Sequence, residues 1–337
     1  MKAIGFKKSL PINEKESFIS FETETPKPEG RDLLVKIQAV SVNPVDTKIR
    51  KSAAKDKTLD EPKIIGWDAV GIVEAVGEHV EFFKKGDTVF YAGDLTRPGS
   101  NAEFQLVDER IVGHKPKNLS IPEAAAMPLT SLTAWETLFD RMRILREKDE
   151  GKSILIIGGA GGVGSIATQM AKRLAGLEVI ATSSRDETVQ WCKDHGADHV
   201  VNYKNLVENV KKAGFETVDF IVDFHDLNQY WDDCVELIKP QGHITSITGS
   251  PEPLELNKLK NKSVTFSWEL MYTRSMFETE DMVAQHRILN TVAKLLDNGE
   301  LRSTLNNTLQ GMTVDNFKAV HAQLESGKSI GKTVIEY

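Results

Sequence analysis

Residues Ile154–Gly164 read ILIIGGAGGVG, and the rest of the chain can be read outward from them. Four apolar residues make a short strand of the kind covered on both faces. Gly159, Gly161 and Gly164 follow in G-x-G-x-x-G spacing, and a helix is expected over Val163–Ala175. Strand, glycine turn and helix together are the context in which this spacing means dinucleotide binding. The glycines provide a tight turn, room for a pyrophosphate and close helix–strand packing. Gly159, Ala160, Gly161, Gly162, Val163 and Gly164 are therefore the candidate phosphate-binding residues. The helix N-terminus adds backbone N–H groups and a positive dipole end.

Downstream, strand and helix alternate. Strands are expected at Glu178–Thr182, His199–Asn202, Val218–Asp223, Gly242–Ile247 and Val264–Ser267. Helices are expected at Asp186–Asp194, Asn205–Ala213 and Asn228–Ile238. That is the pattern of a doubly wound parallel sheet. Upstream the texture differs. Leu33–Val42, Ala69–Val76, Thr88–Tyr91 and Ala102–Val107 are short apolar runs separated by Gly, Pro and Asp turns, which suggests a barrel-like β domain. Pro122–Leu138 reads as helix-rich, between the two regions. After a helix near 280–298, the tail holds a further helix and an apolar terminal strand, TVIEY, with no third core. The tail should pack back on the first domain. The expected division is 1–124 with 275–337 for the β-rich domain, and 125–274 for the inserted α/β domain.

Composition fits this reading. The 337 residues carry 42 Lys and Arg against 49 Asp and Glu, a formal net charge of −7. Two domains are the natural division at about 100–200 residues each. The acidic balance argues against a general nucleic-acid or membrane-surface binder. Two cysteines, Cys192 and Cys234, cannot build a disulfide framework and fit a reduced, cytoplasmic setting. No apolar stretch has the length of a membrane span, and the N-terminus lacks the apolar core of a signal peptide.

The second strand of the α/β region bears on which dinucleotide binds. An NAD site usually carries Asp or Glu about 20 residues beyond the turn, bonded to the ribose 2′-hydroxyl. Here the strand ends in Thr182-Ser183-Ser184-Arg185, with no acid. Hydroxyls and a guanidinium suit a 2′-phosphate, so NADPH is the expected cofactor. The same serines can also cap the helix that begins at Asp186. Phe224 and Ile247 lie at strand carboxyl ends, where ligands bind in such sheets. His225, beside Phe224, is a cofactor-adjacent position. His195 and His199 are four apart, but Gly196 breaks the helix between them, so a loop is expected rather than a metal pair.

A β-rich first part, PLTSLTAW at Pro128–Trp135 and GGAGGVG at Gly158–Gly164 together resemble the medium-chain dehydrogenase/reductase superfamily. Asn43-Pro44-Val45-Asp46, Gly66-Trp67-Asp68 and Gly331-Lys332 extend the likeness over nearly the whole chain. Within the superfamily the chain is similar to the quinone oxidoreductase (zeta-crystallin-like) branch, especially bacterial members labelled zinc-type alcohol dehydrogenase-like. The resemblance implies a GroES-like β-barrel domain, a Rossmann domain, an active site in the cleft between them and a homodimer, often formed across the Rossmann sheet edge. It implies that Asn43 faces the nicotinamide and that Thr130 approaches the nicotinamide ribose. It further implies Tyr203 at the adenosine 2′-phosphate and Lys332 beside the cofactor. Each has a plainer reading: a turn for Asn43, a helix cap for Thr130, a packed strand end for Tyr203 and a solvated charge for Lys332. Several relatives carry tyrosine where this chain has Lys48, which weakens the likeness to a standard quinone-stacking site.

Zinc-dependent relatives place a cysteine in the segment occupied here by Asn43–Asp46. They have Gly-His-Glu where this chain has Gly66-Trp67-Asp68, and a further cysteine near Thr130–Thr133. Those ligands are missing, and Tyr91–Asn101 lacks the four cysteines of a structural zinc lobe. No metal site is therefore expected. The remaining chemistry is hydride transfer from NADPH to an electron-poor small molecule, a quinone or an α,β-unsaturated carbonyl. The alternatives are a zinc alcohol dehydrogenase, or a non-catalytic NADPH- or RNA-binding protein.

Overall fold

The computed structural model describes residues 1–337. The chain divides into two compact units, Thr133–Met271 and Met1–Leu132 with Tyr272–Tyr337. The texture of the sequence puts these boundaries at 124/125 and 274/275.

The first of these units is an α/β layer structure. Its elements are β1 (Ser153–Ile157), α1 (Gly162–Arg173), β2 (Glu178–Thr182), α2 (Asp186–Asp194) and β3 (His199–Val201), then α3 (Leu206–Lys212), β4 (Val218–Asp223), α4 (Leu227–Leu237), β5 (Ile238–Ser246) and β6 (Thr265–Trp268). All neighbouring pairs are parallel, in the order 3-2-1-4-5-6. This is the Rossmann order, with its switch point between β1 and β4. Every residue of β1 is buried, as a strand covered on both faces requires. The core on one side joins Leu155, Ile180, Ile221 and Ile244 of the sheet to Trp231, Cys234 and Leu237 of α4. β5 begins four residues before the expected Gly242, because Ile238 is already extended where α4 ends.

The second unit is built around the ten-residue strand Asp32–Ser41. One edge of it pairs with Asp68–Val76. The other edge is shared: Phe104–Asp108 pairs along Asp32–Lys36, and the terminal strand Lys332–Glu336 takes over at Ala39–Ser41. The tail thus returns to this unit. A parallel strand, Leu305–Gln310, extends the sheet beyond it. Lys2–Phe6, Ile19–Glu22 and Lys63–Ile64 form a separate small sheet. The helix-rich segment Pro122–Leu138 forms Ile121–Ala125, Pro128–Trp135 and a π turn, Glu136–Arg141. Pro128 has no N–H to continue the first helix. That short helix is closed at its start by a Ser120–Glu123 capping box.

Candidate functional site

The turn after β1 is a cradle shaped by glycine. Gly158 takes φ +88°, so the left-handed residue stands one place before the motif's first glycine. A Cβ on Gly159 would lie 2.8 Å from the Ala181 Cβ of β2, and one on Gly164 would lie 2.2 Å from the Gly158 carbonyl oxygen. Those two glycines permit close packing of backbone. Gly161 differs: a Cβ there would meet only the Gly158 oxygen, at 3.4 Å. It caps α1 with extended backbone (φ −73°, ψ 172°) and, with Ala160, Gly162 and Val163, is half-buried. Backbone N–H groups at an accessible helix N-terminus, with no side chain over Gly161, suit a pyrophosphate. The Thr182 hydroxyl accepts the Gly158 N–H at 3.0 Å and ties the turn to the end of β2.

At the carboxyl ends of β2 and β3 the expected phosphate residues separate by role. Ser183 is buried, and its hydroxyl bonds Thr188 inside the first turn of α2. This is the capping alternative. Ser184 and Arg185 are exposed. The Ser184 hydroxyl donates to the Tyr203 hydroxyl at 3.1 Å, and Tyr203 is itself exposed. Arg185 stands at the N-cap of α2, with Nη1 3.0 Å from Glu187 Oε1. An exposed pair of that kind holds the guanidinium weakly. Phe224 and Ile247 are half-buried at the ends of β4 and β5. Between them Asp223 is fully buried. It accepts the His225 and Asp226 N–H groups, both at 3.1 Å, and the hydroxyls of Ser246 at 2.9 Å and Thr248 at 2.7 Å. Asp223 fixes this sheet end, and its place in an apolar strand was the available sequence signal. His195 and His199 diverge: one bonds the Trp191 carbonyl oxygen, the other Glu178.

In the β-rich unit a buried polar cluster joins Asn43, Asp46, Asp68 and Lys332. Lys332 is 4% exposed and Asp68 is completely buried. The ammonium reaches Asp68 Oδ2 at 3.2 Å, the Val42 carbonyl oxygen at 3.3 Å and Asn43 Oδ1. The Asn43 amide donates to Asp68 Oδ2 at 3.0 Å and to the Ser41 carbonyl oxygen at 3.2 Å. Asp68 Oδ1 accepts the Leu129 N–H at 2.8 Å. Asp46 Oδ2 accepts the Asn43 N–H at 2.5 Å, while its Oδ1 is buried with no partner. Burial pushes the Asp46 carboxyl up to about 7 and raises Asp68 as well. Both Asn43 and Lys332 therefore hold partners within the protein. Thr130 is buried and donates to the carbonyl oxygen of Met127, the residue just before its helix, at 3.2 Å. Tyr272 is buried too, donating to the Ala92 carbonyl oxygen at 3.3 Å.

These residues do not suit zinc. An amide and a lysine ammonium meet at Asp68, Asp46 adds one further carboxyl, and the Lys332 ammonium already pairs with the Asp68 carboxylate. No group of three or more His, Cys, Asp or Glu side chains is placed to hold a metal ion. Burial pushes the Cys192 thiol up to about 12 and the Cys234 thiol well above its ordinary value. A cysteine ligates a metal as its thiolate.

The zinc-binding dehydrogenase family matches residues 162–285, and the alcohol dehydrogenase GroES-like domain family matches residues 29–117. A zinc-type alcohol dehydrogenase-like protein of Staphylococcus aureus is 46% identical over 99% of both chains. The chloroplastic NADPH-dependent alkenal/one oxidoreductase of Arabidopsis thaliana is 33% identical over 70% of this chain and 60% of its own length. The quinone oxidoreductase structure from Coxiella burnetii superposes with a TM-score of 0.82 at 26% identity, covering 100% of this chain and 99% of that one.

Proposed function

The chain belongs to the medium-chain dehydrogenase/reductase superfamily and is an oxidoreductase, and on that premise we propose that it is a zinc-independent, NADPH-dependent reductase of quinones or α,β-unsaturated carbonyls. The observation that carries the reading is the Lys332–Asn43–Asp68 cluster, where a built-in ammonium pairs with the buried carboxylate in the segments that, by the resemblance, hold zinc ligands in zinc-dependent members. An acceptor that needs no Lewis acid is one already polarised by conjugation. An alkenal/one oxidoreductase among the relatives and a quinone oxidoreductase among the similar structures are consistent with such acceptors.

The cofactor fits the residues present. Gly159–Gly164 would take the pyrophosphate, with Gly161 leaving the room. Ser184, Arg185 and Tyr203 would take the 2′-phosphate, drawing Arg185 from its exposed ion pair with Glu187. Phe224 and Ile247 would border the groove at the sheet end. When bound, the reduced nicotinamide supplies a hydride. The chain's own residues bind and orient the nucleotide, and the proton can come from solvent.

The test is an acceptor screen with NADPH and NADH side by side, using 1,2-naphthoquinone, an alkenal and a simple alcohol with NADP⁺. The first two acceptors should be reduced with NADPH preferred, and the alcohol should be left untouched. Alcohol oxidation alone would overturn the reading. Arg185→Ala should raise KM for NADPH about tenfold or more, by loss of a charge-assisted contact, and leave KM for NADH nearly unchanged. Equal effects on both nucleotides would sink the 2′-phosphate assignment.

A further inference from the structure

The glycine turn is braced from behind by a side-chain relay from α2. The indole Nε1–H of Trp191 donates to Ser165 Oγ at 2.8 Å. The Ser165 hydroxyl donates in turn to the Gly161 carbonyl oxygen at 2.7 Å, and the Ser165 backbone N–H reaches the same oxygen at 2.9 Å. Trp191 is itself held by His195. Their rings stack at 4.4 Å and 30°, with His195 Nδ1 2.7 Å from the Trp191 carbonyl oxygen.

The consequence follows from the planarity of the peptide. In a trans peptide, C=O and N–H point in opposite directions. The Gly161 carbonyl oxygen is drawn along α1 toward Ser165, so the N–H of Gly162 points outward from the helix start. That N–H is one of the donors a phosphate would meet. With no side chain on either residue, the Gly161–Gly162 peptide is intrinsically free to rotate. Ser165 restrains it with two bonds, and Trp191 fixes the Ser165 rotamer.

We propose that Trp191 is a positioning residue for nucleotide binding, acting through Ser165 to hold the Gly162 N–H toward the pyrophosphate. This rests on the cofactor reading above and deepens it. It also links two ends of the nucleotide site, because α2 carries Arg185 at its N-cap and Trp191 on its body.

The pyrophosphate is common to NADPH and NADH, so the relay should serve both. Trp191→Phe keeps an aromatic ring against His195 and removes only the N–H. Titration calorimetry should show Kd for NADPH and for NADH raised by the same factor, about fivefold for one neutral hydrogen bond. KM should rise in parallel, with kcat at saturating nucleotide unchanged. Ser165→Ala should have an effect at least as large, and adding Trp191→Phe to it should cost nothing further, because both changes break one chain. A merely structural role would add the two effects and would not confine them to nucleotide affinity. Wild-type affinity for both nucleotides in Trp191→Phe, or weakening of NADPH alone, would overturn the proposal. The cofactor reading is judged separately on the wild type: failure to bind either nucleotide would overturn it and this proposal together.

Discussion

The Lys332 ammonium has three acceptors within reach inside the protein, and two of them belong to Asn43 and Asp68. The sequence exposed each residue of this cluster by its motif but not the bonds among them. Pairing across about 290 positions is set by the return of the terminal strand, which no local pattern encodes. Asp46 makes the cluster sensitive to pH. Its carboxyl, pushed up to about 7 by burial, keeps a proton in the folded chain that the unfolded chain releases near pH 4. Its contribution therefore weakens stability as pH rises from about 4 to about 7, then levels off. Asp46→Asn cannot lose that proton. Its unfolding free energy should gain on the wild type by on the order of 3 kcal/mol between pH 5 and pH 8, read from denaturant melts at each pH. A constant difference across that range would refute the assignment.

At the scale of elements, the β1–turn–α1 unit was the most legible part of the chain. Close packing, a left-handed residue and an open cap all demand glycine, so the turn's geometry is written in one residue type. The left-handed position itself is not legible, because Gly158 and Gly159 are indistinguishable until β2 packs against one of them. Glu178–Thr182, Asp186–Asp194 and Val218–Asp223 run as expected, since caps and apolar runs mark their ends. Leu305–Gln310 and the small N-terminal sheet were not foreseen, as they are short and held by distant partners. The turn's glycines can be told apart by mutation. Gly164→Ala drives a methyl to 2.2 Å from the Gly158 oxygen and should cost about 3 kcal/mol of stability, seen as a lowered Tm. Gly161→Ala has an ordinary φ and no contact closer than 3.4 Å, so its Tm should stay at the wild-type value. Its methyl would occupy the pyrophosphate's space, and nucleotide binding should be lost. Binding retained by Gly161→Ala would contradict the cradle.

For the whole molecule, the division into two units with the α/β unit inserted in the β-rich one was legible from the change of texture along the chain and from the lack of a third core. The exact boundaries were not, because Pro128–Trp135 runs through one of them. No helix is long and apolar enough to cross a membrane. The Rossmann sheet ends on β6, and Trp268 and the nearby Leu270 are 49% and 47% exposed. An edge strand with flanking apolar side chains is a pairing template, and we propose that two chains join there as a homodimer. Light scattering should give twice the 37.5 kDa of one chain, and Trp268→Lys with Leu270→Lys should return it to that mass. A wild-type monomer would refute the dimer.

Metal-free hydride transfer to a conjugated acceptor would appear as NADPH-driven reduction of an alkenal after exhaustive treatment with a chelator, with zinc content measured on the same sample. The predicted result is full turnover with far less than one zinc per chain. Activity lost on chelation and restored by stoichiometric zinc would contradict it.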